Sequence, residues 1–234
     1  MKKLMLVAFS ALNISQAQAL EDYGFYMGIE ATASWWQLDI DNQFNDTYEK
    51  SDIRYDDSDW SYSALGRLGG YLNWGEDDIW FTAIEFFGEP NSISFEHQDD
   101  DKTKLPVNQA TEATYSLGGQ LKQGVFVMDD LLAFMTAGLV YTQFKVITNY
   151  ENGFAFVTEY NKFYLPGFRF GAGAEWFVTE NIGIDVQAAY TWYEEENLSI
   201  DSQIFQPPSI TPIGTSDFNP SALQLGLGFN FYFN

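Results

Sequence analysis

The chain alternates. Its last thirteen residues, "ALQLGLGFNFYFN" (222–234), set Leu223, Leu225, Leu227, Phe229, Phe231 and Phe233 on one side of an extended strand. Gln224, Gly226, Gly228, Asn230 and Tyr232 fall on the other, because successive β side chains point to opposite faces. The same period of two recurs at 24–38, 60–73, 78–88, 112–124, 131–144, 163–177 and 182–193, and with 220–233 it predicts eight strands. Short turns at 73–78, 123–130 and 178–181 alternate with long acidic stretches at 39–59, 89–111, 145–162 and 194–219. An even number of strands joined this way predicts an all-β fold: a transmembrane, antiparallel, up-and-down barrel with four long loops and three short turns. A buried helix is the alternative for 129–144, where Leu131, Leu132, Phe134 and Met135 fit a helical stripe. The segment has no good cap pattern and runs into the β-formers Val140, Tyr141 and Thr142.

Sorting the strands by face gives one apolar side and one mixed side. Phe25, Met27, Ile29, Leu68, Ile84, Phe86, Leu117, Leu139, Phe168, Phe170 and Val186 lie on the first. On the second lie Glu30, Thr32, Ser34, Arg67, Glu85, Gln120, Lys122, Arg169, Glu175, Asp185 and Gln187. A soluble sandwich or lipocalin-like barrel would turn the apolar side inward, so alternation alone leaves both readings open. The tryptophans separate them. Trp35, Trp36, Trp60 and Trp192 lie beside long connections, and Trp74, Trp80 and Trp176 beside short turns. Two rings of tryptophan match two membrane interfaces, which puts the apolar side against lipid. Glycines at 28, 69, 118, 138, 171, 173, 226 and 228 share the mixed side, as a narrow barrel interior requires.

Composition narrows the setting. Lys2 and Lys3, an apolar run to Ile14 and the small-residue site "AQA" at 17–19 predict a signal peptide over 1–19 and a barrel domain over 20–234. Removing the two lysines takes the formal charge from −22 to −24. So acidic a chain is unsuited to nucleic acid, whose phosphates need clustered Lys and Arg. With no cysteine, an exported chain must be held together by its sheet alone.

At this point the residues resemble the superfamily of small eight-stranded outer-membrane β-barrels, which includes the OmpA transmembrane domain and the opacity-protein-like porins. The matching stretches are "YMGIEA" (26–31), "LGRLGGYLNWG" (65–75) and "FGAGAEWFVTENIGIDVQAAYTW" (170–192). The resemblance implies the outer membrane of a Gram-negative bacterium, both termini in the periplasm, and lipid, lipopolysaccharide and the barrel-assembly machinery as partners. It also implies that Phe229, Phe231 and Phe233 act as the closing-strand signal for assembly, although Asn234 stands where the group ends in Phe.

Candidate chemistry is sparse. Interior Glu30, Arg67 and Glu85 are expected to meet as one cluster, with Lys122, Glu175 and Asp185 as a second and Arg169 above it. A salt-bridged plug and a narrow ion pathway both fit these residues. The single histidine, His97, lies in a predicted long loop with no strand-borne Ser-x-His or His-x-Ser pair, so a lipid-modifying or proteolytic enzyme is the weaker reading and no catalytic residue or resident cofactor is assigned. Acid-rich loops, above all Asp99, Asp100 and Asp101, supply hard oxygen ligands for Ca²⁺ or Mg²⁺, or else merely solvate the loops. The expectation is a monomeric, non-enzymatic barrel serving envelope structure and surface adhesion to an extracellular ligand, with a small-solute channel as the alternative.

Overall fold

Nine strands carry the alternation in a computed structural model that describes residues 22–45, 50–98, 107–151, 156–201 and 212–233. The segment read as a signal peptide and Asp99, Asp100 and Asp101 lie outside these. The strands are β1 (Tyr23–Asn45), β2 (Lys50–Trp74), β3 (Trp80–Gln98), β4 (Val107–Met128), β5 (Leu131–Glu151), β6 (Phe156–Thr179), β7 (Ile182–Tyr193), β8 (Glu196–Asp201) and β9 (Pro212–Phe233). Neighbours from β1 to β7 pair antiparallel, β7 pairs with β9, and β9 pairs back onto β1 from Phe25 opposite Phe233 to Phe44 opposite Gly214. Eight strands therefore close a wall with no free edge for lipid to meet.

The difference from the sequence reading is one of extent. Stretches read as long loops hold continued ladder: β1 pairs with β2 up to Asn45 opposite Lys50, and β5 with β6 up to Glu151 opposite Phe156. His97, expected in a loop, lies on β3 opposite Gln109. The stretch 123–130 shrinks to a turn at Asp129 and Asp130, and 129–144 is strand rather than helix. Short β8 is the ninth strand, laid on β9 above the point where β7 stops.

Above its middle the wall divides. β2 and β3 pair only from Trp74–Trp80 to Gly66–Gly88, and β6 and β7 only up to Gly167–Tyr193. Beyond those points the described strands form two four-stranded sheets, β2-β1-β9-β8 and β3-β4-β5-β6. Proline stands at both forks: Pro90 two residues past Gly88, Pro166 beside Gly167, and Pro220 beside Ser221, the last β9 residue above which β7 no longer pairs. Lacking an N–H, proline cannot continue a ladder on that side. Pro90 also opens a bulge before Ile93, and bulges bend the strand that carries them.

The two regions bury opposite chemistry along the same strands. In β1 the inward series runs Tyr26, Gly28, Glu30, Thr32 and Ser34, then Trp36, Leu38 and Ile40; the outward series runs Phe25, Met27 and Ile29, then Gln37, Asp39 and Asp41. β9 repeats this, with Gln224 and Asn230 inward below and Phe218 inward above, against Leu225 outward below and Asn219 outward above. The upper part is thus a β-sandwich in miniature, whose two sheets share one apolar core of Trp36, Leu38, Ile40, Phe95, Phe144 and Phe218, among others.

Candidate functional site

The barrel interior is stacked in layers. At the short-turn rim Tyr26, Tyr71, Phe81, Leu132, Phe134, Phe177 and Tyr232 form an aromatic floor, with Tyr26 stacked on Tyr232 at 5.0 Å and Tyr71 on Phe81 at 5.7 Å. Above it five carboxylates (Glu30, Glu85, Glu89, Glu175, Asp185) face three cations (Arg67, Lys122, Arg169), all buried. Burial of a charge is tolerated only when partners replace water, and the pairings follow that rule.

Arg67 forks between Asp185 Oδ1 at 2.6 Å and Glu30 Oε2 at 3.2 Å, while Gln187 donates to the same Glu30 oxygen at 2.6 Å. Lys122 donates to Glu175 Oε2 at 2.7 Å and lies 4.0 Å from Glu85, with its ammonium 4.1 Å from the Phe134 ring centroid. Glu175 also accepts from Tyr232 at 2.7 Å and Asn230 at 2.6 Å, and Glu85 accepts from Tyr26 and Gln120. The expected Glu30–Arg67–Glu85 and Lys122–Glu175–Asp185 clusters therefore form with Glu85 and Asp185 exchanged. Tilt and shear decide which heights meet across a closed barrel, and counting residues along separate strands does not supply them. Space for this layer comes from glycine: a Cβ on Gly226 would strike the Glu30 carboxylate, and one on Gly228 would strike Asp185 and Arg67.

Higher up, Arg169 donates to Gln224, lies 5.0 Å from the Phe87 ring centroid and has no carboxylate within ion-pair distance among the described residues. Gln224 in turn donates to Glu89 at 2.8 Å, and Thr32 donates to Glu89 at 2.6 Å. Glu89 sits where the sequence suggests a loop, and Gln224 is one inward polar residue among several on its strand, so neither stands out in the sequence as a site residue. These groups line a cavity with room for about one water. Trp36, stacked on Tyr193 at 5.9 Å and edge-on to Phe144 at 6.1 Å, roofs it.

Trp36 corrects the expected tryptophan belt: it is only 3% exposed and points inward. Its neighbour Trp35 must point the other way, since adjacent strand residues face opposite sides. Trp35 packs against Trp60 at 5.3 Å, and Trp192, half exposed, lies 4.6 Å from Tyr190. At the other rim Trp74 stacks on Trp80 at 5.8 Å, and Trp176 donates to Asp130 at 2.8 Å. Phe229, Phe231 and Phe233 all face outward beside the opening strand. Between the two rings the outer surface is aliphatic and aromatic, as an apolar band about 25 Å tall requires. Among the described residues no group of three or more His, Cys or carboxylate side chains is arranged to hold a metal ion.

A family model described as the outer membrane protein beta-barrel domain matches residues 4–231. Among solved structures, the outer membrane protein OprG from Pseudomonas aeruginosa is 12% identical, covers 94% of this chain and 99% of its own, and superposes with a TM-score of 0.57. The attachment invasion locus protein Ail of Yersinia pestis (11% identity, 87% and 98% coverage, TM-score 0.36) and the outer membrane protease OmpT from Escherichia coli (9% identity, 89% and 97% coverage, TM-score 0.41) are also similar. No curated protein sequence matches the chain.

Proposed function

The chain belongs to the outer membrane protein β-barrel family, and on that footing we propose that it is a non-enzymatic surface-recognition protein of the Gram-negative outer membrane. In this reading the short-turn rim and both termini face the periplasm, and the two-sheet region stands outside the cell as the recognition surface. One observation carries it: the interior is packed at both ends by aromatic layers, and its charged groups are held by one another or, for Arg169 and Glu89, by Gln224 between them. A barrel so filled anchors rather than conducts, which leaves its exterior to act. The acidic outward face, with Asp39, Asp41 and Asp56, favours a cationic or cation-bridged ligand, reached by electrostatic steering.

Attachment of cells displaying the protein to matrix-coated surfaces tests this, with and without replacement of 39–59 and 194–219 by short turns. Attachment lost on replacement supports the reading, and attachment unchanged overturns it. A narrow channel is the second reading, favoured by the polar cavity between Glu89 and Arg169; discrete stable openings in a planar bilayer would establish it. Altered lipid A masses on expression would instead make the protein a lipid-modifying enzyme. Ca²⁺ or Mg²⁺ at Asp99, Asp100 and Asp101 would bridge the surface to lipopolysaccharide phosphate, and calorimetric titration of the chain with these three changed to Asn decides that point.

A further inference from the structure

We propose that the upper edge of β2, where the wall forks, is a docking edge for an extended, Lys- or Arg-bearing peptide segment of an extracellular partner, which adds to the sheet as a strand. The proposal rests on the reading of the two-sheet region as a recognition surface and gives it a partner class and a place.

Four observations carry it. Beyond Gly66–Gly88 the described part of β2 pairs with β1 alone, so one side of its backbone has no neighbouring strand. The N–H groups of Ser58 and Trp60, two residues apart and so directed to the same side of the strand, donate to side chains instead: to Asp57 Oδ1 at 2.8 Å and Asp59 Oδ1 at 2.7 Å. The capping residues themselves are at the surface, so solvent and ligands reach both carboxylates. The edge is also acidic, with Asp56, Asp57 and Asp59 and no Lys or Arg in 56–60.

Exposed sheet edges take up strands unless something blocks them. Here the block is removable by the right chemistry. A partner ammonium or guanidinium draws the Asp57 and Asp59 carboxylates off the backbone, and the freed N–H groups then donate to the partner's carbonyls, so every group keeps a hydrogen-bond partner. An acidic or neutral segment offers the carboxylates nothing, and the caps stay in place. A second copy of this chain would set Asp57 and Asp59 against their own kind, so the charge selects against self-pairing. The other side of the fork suits a one-sided acceptor, because Pro90 has no N–H to offer and its carbonyl accepts from Ser63.

The test uses the full chain refolded in zwitterionic detergent and a fluorescent eight-residue peptide of alternating Lys and Thr. Its twin carries N-methyl groups at alternate peptide nitrogens, which keeps the charge and removes the strand hydrogen bonds. We expect saturable binding by fluorescence anisotropy, about tenfold weaker for the N-methylated twin, together with slowed amide exchange at Ser58 and Trp60. Ser58→Pro, which deletes one edge N–H without touching charge, is expected to weaken the unmodified peptide to the level of its twin. Asp57→Asn with Asp59→Asn weakens both peptides. Equal affinity for the two peptides, unchanged binding by Ser58→Pro, or no binding at all overturns the proposal. Cell attachment retained under any of those results leaves the broader recognition reading standing, and attachment lost on loop replacement together with unchanged attachment in Ser58→Pro separates the two.

Discussion

Below the forks the protein is greasy outside and polar within; above them it is polar outside and greasy within, and the same strands run through both. In β1 the exchange takes place between Trp35 and Trp36, and in β9 between Ala222 and Leu223. In both strands the alternation keeps its phase through the exchange, since a one-residue slip would throw every side chain to the wrong face. What changes is the solvent. Hydrocarbon around the lower wall makes apolar side chains cheap on its outside and forces the backbone to satisfy itself by closure. Water around the upper part restores the ordinary hydrophobic effect, and two open sheets suffice once their inner faces share a core. Closure is therefore a requirement of the lipid, and the wall stops closing where the apolar outer face ends.

Mutations can break each half of that contrast. The largest loss is expected for Arg67→Leu, which strands Glu30 and Asp185 in the interior, at the upper end of about 3–5 kcal/mol for a broken buried pair. Urea titration in lipid vesicles measures it, and Arg67→Leu combined with Glu30→Gln and Asp185→Asn should recover most of the loss. Phe144→Ala removes the ring that Trp36, Phe163, Phe218 and Tyr193 all touch, at the lower end of about 3–5 kcal/mol. Its signature is regional: hydrogen exchange should quicken above the forks while amides around Glu175 stay protected. Leu139→Arg on the lipid face is expected to cost about 2–4 kcal/mol, whereas Gln143→Arg, four residues along the same face but past the apolar band, stays within about 0.5 kcal/mol. Equal costs for that pair would refute the exchange of polarity. The smallest effect is assigned to Lys145→Met, which deletes a part-exposed 3.1 Å pair with Glu112 and should change stability by less than about 1 kcal/mol.

Much of the barrel was legible because period two is a local property. Every strand of the lower wall, its outward residues and its closing strand can be read from alternation in short windows. The interior could be listed but not wired: Glu85 and Asp185 were both visible as inward acids, while their cations depend on the tilt of strands far apart in sequence. Trp36 carried a signal that would have placed it. Two adjacent tryptophans cannot both face lipid on one strand, and Leu38 and Ile40 continue the series inward with acids between them. The same exchange marks Ile93 and Phe95, set among Ser and Glu in a stretch whose acidity suggested a loop. Acidity there reports water outside the sheet and says nothing against strand, so composition concealed what periodicity held.

The seam between β1 and β9 sets Phe25 opposite Phe233, the two ends of the barrel chain. A wall whose final ladder joins its first strand to its last has no stable half-built form, because every shorter product leaves two raw edges facing lipid. Loop-closure entropy for that contact must be met before its hydrogen bonds repay it, so folding is slow and governed by the longest separation in the chain. Insertion thus waits on the closing strand: a chain lacking only β9 has nearly all the barrel wall and no way to enter the bilayer alone.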